Sequence, residues 1–198
     1  MKYDMKDLTV LIPIRVESLV RLENVLAVIR YLRKYFETNI MVLEADKRNN
    51  GVLCSLLPQD VDYIFVPDND PVFYRTKYIN QMAMKTTTEF LAIWDADVVS
   101  LPSQLYESII KLRSGKYDIC YPYEGIFLDT SKLIRDLYLE SEDITILEEL
   151  KMMMIAPYGT YMHGGALLVN AKSYHASGME NLKFYGWGPE DTERYERW

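Results

Sequence analysis

Short apolar runs separated by amphipathic stretches set the rhythm of the first 115 residues. Leu8-Thr-Val-Leu-Ile-Pro-Ile14 reads as a strand buried on both faces. Leu22, Val25, Leu26, Ile29, Leu32 and Phe36 then recur at helical spacing. That spacing predicts a helix from Leu19 to about Phe36, with Ser18 as its cap. Ile40 to Leu43 and Tyr63 to Val66 read as further strands, and a helix runs from about Tyr74 to Lys85. The apolar run from Phe90 predicts a fourth strand, followed by a helix from Ser103 to Arg113 that Gly115 stops. Strand and helix alternating at these intervals imply parallel pairing with right-handed crossovers. The first half therefore reads as half of a doubly wound nucleotide-binding sheet.

The second half is less regular. Asp118 to Tyr123 reads as a strand, and Thr130 to about Met154 as helix broken near Glu142 or Asp143. Met152, Met153 and Met154 read as core or the wall of a groove. Gly164-Gly165-Ala-Leu-Leu-Val-Asn170 predicts a strand that something approaches closely, because two glycines open it. Gly186-Trp187-Gly188-Pro189 leads into an acidic helix start, Glu190-Asp191-Thr192-Glu193. Pro189 suits a first helical turn, and the acids suit the positive end of the helix dipole.

A chain of 198 residues, 49% hydrophobic and 26% charged, fits one soluble globular domain with a full core. Its net charge of −7 and lack of a basic stripe exclude nucleic acid as an expected partner. Tyrosine is frequent, at 16, and can stack on sugar rings or fill cores. Cys54 and Cys120 stand far apart in apolar contexts, which predicts two buried thiols in a reducing compartment. The run Leu8 to Ile14 is interrupted by Pro13 and too short for a leader or a membrane span. A cytoplasmic location is the resulting expectation.

Chemistry concentrates in acids that end strands or open helices. The strand Phe90-Leu-Ala-Ile-Trp94 runs straight into Asp95-Ala96-Asp97. In open α/β sheets ligands bind at this carboxyl edge. Two carboxylates one residue apart repel unless a cation lies between them, and Mg²⁺ or Mn²⁺ carrying a diphosphate suits hard oxygen ligands. On spacing alone, a helix cap beside a solvated acid fits equally well. Glu44 and Asp46 end the second strand, where an acid can receive a ribose hydroxyl or simply be a solvated turn. Arg15, Arg75 and Lys77 are cations that can meet a diphosphate or lie on the surface. In Gly186-Trp187-Gly188-Pro189-Glu190-Asp191 the glycines bring backbone close to a ligand and the Trp offers a flat face. A shielded carboxylate there can serve as a general base, or the stretch can be a packed Gly-Pro turn capped by acids.

Five motifs occur in order. They are Leu11-Ile12-Pro13-Ile14-Arg15, Phe73-Tyr74-Arg75-Thr76-Lys77, Trp94-Asp95-Ala96-Asp97, Gly164-Gly165 and Gly186-Trp187-Gly188-Pro189-Glu190-Asp191. Together they resemble the GT-A glycosyltransferases. The nearest likeness is to the β-1,4-galactosyltransferase and chondroitin-polymerase-like group, which includes bacterial relatives that build surface polysaccharide. The resemblance implies a GT-A α/β domain: a Rossmann-like nucleotide-binding sheet flanked by helices, with a smaller acceptor-side portion. It covers 1–198 as one domain, with 1–115 the nucleotide-binding half and 116–198 the acceptor and catalytic half.

The resemblance also implies roles. Pro13 and Arg15 match the loop holding uridine and diphosphate, Glu44 and Asp46 the nucleoside contacts, and Arg75 an arginine near the nucleotide. Asp97 matches the metal-binding aspartate, for Mn²⁺ or Mg²⁺, and Asp95 its partner on the nucleotide-sugar side. Gly165 and Trp187 match residues lining donor sugar and acceptor. Asp191 matches the catalytic base and Glu190 the acid that holds the sugar. The implied activity is metal-dependent, inverting transfer of galactose or N-acetylgalactosamine from a UDP-sugar to a saccharide hydroxyl. Surface polysaccharide or glycoconjugate synthesis is the implied setting. Two departures stand out. Pro189 replaces a glycine of the family motif, and the family continues past this helix to a His-type metal ligand, whereas this chain ends at Trp198. His163 and His175 precede the motif and do not take that ligand's place. The alternative expectation is a nucleotide-sugar-binding domain that needs a further segment or a partner for turnover.

Overall fold

Each strand of the central sheet alternates between two cores, as a pleated strand buried on both faces must. In β1 (Tyr3–Ile14), Val10, Ile12 and Ile14 face one core while Leu11 faces the other. In β4 (Phe90–Trp94), Phe90, Ala92 and Trp94 take the first side, and Leu91 and Ile93 the second. The computed structural model describes residues 2–186 and 188–198. With β2 (Phe36–Asp46), β3 (Asp62–Pro67), β5 (Ile119–Cys120) and β6 (Ala166–Asn170), the six strands pair in the order β3-β2-β1-β4-β6-β5.

Helix α1 (Leu19–Tyr35) and helix α4 (Pro102–Arg113) cover the first face, packing Val25, Ile29 and Leu32 beside Leu105, Ile109 and Leu112. The Ser18 side chain caps α1 by accepting from the Arg21 amide. Helix α3 (Arg75–Ala83) covers the other face with Tyr78, Ile79, Met82 and Ala83. The remaining helices are α2 (Val52–Leu56), α5 (Lys132–Ser141), α6 (Ile144–Glu149), α7 (Ala171–Ala176) and α8 (Glu190–Arg197). The break expected near Glu142 falls there, with Glu142 in the left-handed region at φ 52°.

β1 to β4 are mutually parallel, whereas β6 runs antiparallel to β4, with Ala166 opposite Trp94. That reversal has a consequence for the site. The start of β6 lies at the carboxyl edge where β4 ends, so Gly164 and Gly165 arrive beside Asp95.

Three expectations are corrected. Cys54 is exposed, not buried: on the single-turn α2, Leu53 takes the inward position and its neighbour turns to solvent. Cys120 is buried, as expected. Met152 and Met153 are 89% and 69% exposed on a 3₁₀ turn and belong to no core. The strand expected over Asp118–Tyr123 shrinks to Ile119–Cys120, because it pairs only at the sheet edge with β6. No described helix is long and apolar enough to cross a membrane.

Candidate active site

Parallel strands β2, β1 and β4 bring their carboxyl ends to one edge, and the predicted acids gather there. Asp95 leaves β4 with its amide donating to the Gly165 carbonyl at 2.8 Å. Gly165 holds φ +74°, and a Cβ on it would come within 3.0 Å of the Phe127 ring. Glycine therefore fits this position on two counts.

Arg75, the first residue of α3, occupies the centre of the cluster. Its Nη2 and Nε donate to Asp95 Oδ1 at 2.7 and 3.2 Å. Its Nη1 lies 3.7 Å from both Glu190 Oε1 and Asp191 Oδ1. Those distances give Coulomb attraction without a hydrogen bond. One guanidinium thus ties the acid ending β4 to the acids opening α8. Burial opposes the charge on Arg75, but Asp95 and Asp191 outweigh it and raise its pKa. Arg75 Nη1 and Glu190 Oε2 are buried with no hydrogen-bond partner among the described residues. Burial also raises the pKa of Glu190, helped by the charge of Asp191.

Asp97 stands apart from this ion pair. Asp97 is exposed as a residue, yet the protein around it desolvates its carboxylate and Asp95 adds repulsion, so its pKa is raised. Arg21, in the first turn of α1, offsets part of that repulsion. These hard oxygen donors fit a divalent cation of the Mg²⁺ or Mn²⁺ kind, which needs only one or two carboxylates beside a substrate's phosphates. Among the described residues no three His, Cys, Asp or Glu side chains converge as a ready-made cage. The His163 ring is instead stacked on Tyr195, with centroids 3.7 Å apart.

Asp191 is held tightly. Its Oδ1 accepts from Arg194 Nη2 at 2.5 Å, while its Oδ2 lies against Gly164. A Cβ at Gly164 would sit 2.4 Å from that oxygen. Gly164→Ala is expected to cost about 1–3 kcal/mol, the usual range for overpacking, because Arg194 prevents Asp191 from simply rotating away. Urea unfolding measures this, and the cost should largely vanish in an Asp191→Ala background.

Arg15 is fully committed within the protein. Its Nε donates to the Ala45 carbonyl at 3.0 Å, Nη1 to that of Pro71 at 3.2 Å and Nη2 to Asp68 Oδ2 at 2.9 Å. Tyr78 also donates to Asp68, and Tyr185 to Asp70. Together these bonds brace the loop between β3 and α3. Pro13, next to last in β1, lies beyond Leu11, the last residue paired with β4, so its missing N–H costs no bond on that side. Glu44 is buried and accepts from Tyr63 at 2.5 Å, and Asp46 accepts from the Lys47 amide at 2.6 Å. Both share the carboxyl edge, but neither joins the Arg75 cluster by a hydrogen bond or ion pair. Lys77 turns to the far side of α3, where it borders an open groove with Leu43, Ile64, Val66 and Met84. Trp187 lies outside the described residues. Tyr158 and Tyr161 are exposed, whereas Tyr185 is tied to Asp70.

Sequence reading singled out the Gly164-Gly165 pair as closely approached without naming Asp191 as the group that approaches it, and missed Glu180 and Arg194 as parts of this arrangement. The i,i+3 spacing of Asp191 and Arg194 was a usable signal for one pair. Glu180 sits in irregular chain and carries no comparable signal.

No family model and no curated protein matches the chain. Solved structures do. The catalytic domain of Drosophila β1,4-galactosyltransferase 7 with xylobiose matches 98% of this chain and 60% of its own, at 17% identity and TM-score 0.55. A mutant of that enzyme with manganese, UDP-Gal and xylobiose matches over the same shares, at 18% identity and TM-score 0.51. The Pyrobaculum calidifontis mannosyltransferase with GDP-Man and Mn²⁺ matches 94% of this chain and 50% of its own, at 16% identity and TM-score 0.57. The chain thus spans half to three-fifths of the length of these structures. The sheet order and these likenesses agree: the chain has the GT-A fold that these solved structures share.

Proposed function

We propose that this chain is a metal-dependent, inverting glycosyltransferase that moves a galactose-type sugar from a UDP-sugar to a saccharide hydroxyl. The carrying observation is the Arg75 bridge, which joins the Asp95-Ala96-Asp97 turn to Glu190 and Asp191 on one sheet edge. Residues 1–115 supply the nucleotide side and 116–198 the acceptor side and the base. The UDP-Gal in the Drosophila structure supports the donor choice, and the GDP-Man in the archaeal one marks it as a feature of the site and not of the fold. Surface polysaccharide or glycoconjugate synthesis in the cytoplasm is the setting this reading favours.

Asp97, with Asp95 beside it, would hold Mn²⁺ or Mg²⁺. When bound, such an ion supplies positive charge that stabilises a departing diphosphate. The protein's own residues do the rest. Arg75 Nη1 and Glu190 Oε2 are a buried donor and a buried acceptor left without hydrogen-bond partners among the described residues, beside the proposed base. Asp191 Oδ2 takes the proton from the acceptor hydroxyl as that oxygen attacks the anomeric carbon. The bond from that carbon to UDP breaks in the same step, and its electron pair leaves on the phosphate oxygen. Attack opposite the leaving group converts an α-linked donor into a β-linked product.

Calorimetric titration of UDP, with and without Mn²⁺, tests the donor site. UDP is expected to bind with Mn²⁺ present and to lose at least about tenfold in affinity, roughly 1.4 kcal/mol, in Asp97→Ala. Metal-independent binding would remove the role given to Asp97. A second reading, a nucleotide-sugar-binding unit completed by a ligand from elsewhere, is favoured by the lack of a third converging metal ligand among the described residues. Donor binding without transfer to any saccharide acceptor would support it.

A further inference from the structure

We propose that Arg194 and Glu180 form a buried clamp that fixes the rotamer of Asp191 and leaves only its Oδ2 facing the acceptor side. The functional part of this proposal rests on Asp191 being the base. Arg194 is wholly buried, and its Nη1 donates to Glu180 Oε2 at 2.8 Å while its Nη2 holds Asp191 Oδ1 at 2.5 Å. The same Nη2 lies 3.5 Å from the His163 carbonyl.

Glu180 is itself anchored twice over. Its Oε1 accepts from the Tyr174 hydroxyl of α7 at 2.9 Å. Its backbone amide donates to Asn80 Oδ1 and its carbonyl accepts from Asn80 Nδ2, both at 2.9 Å, so the clamp is fastened to α3. Burying a whole Arg–Glu pair is costly, and an apolar pair of similar size is often as stable or more so. The presence of such a pair here is therefore better explained by what it orients than by stability.

The orientation is specific. With Oδ1 taken by Arg194, the second oxygen is seated over Gly164, where only the lack of a side chain makes room for it. Charge is balanced as well. Glu180 neutralises Arg194 from behind, so Asp191 receives a geometric hold from a guanidinium whose charge is already met. Arg75, with Asp95 behind it, faces Asp191 from α3, and Tyr121 and Tyr123 face it from the chain after β5. Arg194 is thus a positioning residue, two atoms removed from the chemistry.

The test is a charge-neutral double variant, Arg194→Gln with Glu180→Gln, which strands no buried ion. Its crystal structure gives the position of the Asp191 carboxylate, and kinetics give kcat, donor KM and UDP affinity. The carboxylate is expected to leave its seat over Gly164. kcat is expected to fall about 10- to 100-fold, the scale of an ångström-sized misplacement, with donor KM and UDP affinity unchanged. Arg194→Lys, which keeps the charge and one bond, should recover part of kcat. A carboxylate that stays in place overturns the clamp, as does a kcat that falls only in proportion to lost folded protein. Asp191→Asn run alongside separates the two ideas. If that variant still transfers sugar while the double variant displaces the carboxylate, the clamp stands and the base assignment falls.

Discussion

Asp191→Asn is expected to lower kcat by about 10²–10⁴-fold, the usual contribution of a positioned general base. UDP affinity in the presence of Mn²⁺ should stay within about twofold, because the substitution keeps the size of the side chain and leaves Asp97, the proposed metal holder, untouched. Asparagine keeps the shape and can still accept from Arg194 through its carbonyl oxygen. What it loses is the ability to take a proton, so the experiment isolates that ability. Transfer assayed with UDP-Gal and a range of saccharide acceptors, beside calorimetry, gives both numbers from one preparation. An Asn variant with more than a tenth of the native kcat would place the base elsewhere. Glu190 would be the next candidate, since burial raises its pKa and one of its oxygens has no partner among the described residues.

Much of this arrangement was legible in the chain. Strands β1 and β4 announce themselves because both faces are buried, which leaves short, mostly apolar runs, and the run of β4 ends where Asp95 and Asp97 begin. The acidic start of α8 was legible because helix dipoles and a preceding proline leave a local signature. The direction of β6 was not, since Ala-Leu-Leu-Val-Asn reads the same whether it pairs parallel or antiparallel. Yet that direction is what brings Gly164 to Asp191.

Arg15 is the instructive case. At a strand end near a nucleotide edge it reads as a phosphate ligand. In the fold it meets the Ala45 and Pro71 carbonyls and Asp68, partners set by strand register and loop closure. Its place in the proposed reaction is to brace the loop through which the chain enters α3. The same limit applies to Arg194. Its pairing with Asp191 is local and could be inferred, but its pairing with Glu180 depends on irregular chain crossing α3. Local periodicity carries no information about that crossing.

Arg75→Met should clearly destabilise the folded chain. Among the described residues Arg75 alone lies within ion-pair distance of Asp95, Glu190 and Asp191 together, so a methionine of similar length leaves Asp95 and Glu190 without a cation while Asp191 keeps Arg194. Removing one partner of a fully buried pair costs about 3–5 kcal/mol. The Asp95 side chain is 35% exposed, so solvent absorbs part of that, and about 2–3 kcal/mol is expected by urea unfolding at pH 7. Combining Arg75→Met with Asp95→Asn should recover a substantial part of the loss, because the two residues are in direct contact and their effects are coupled. Arg75→Lys should do less well than its charge suggests. A single ammonium cannot hold Asp95 in the two-nitrogen grip seen here and still reach Glu190 and Asp191. Full stability in Arg75→Met, with transfer intact, would mean that the acids of β4 and α8 do not act as one site.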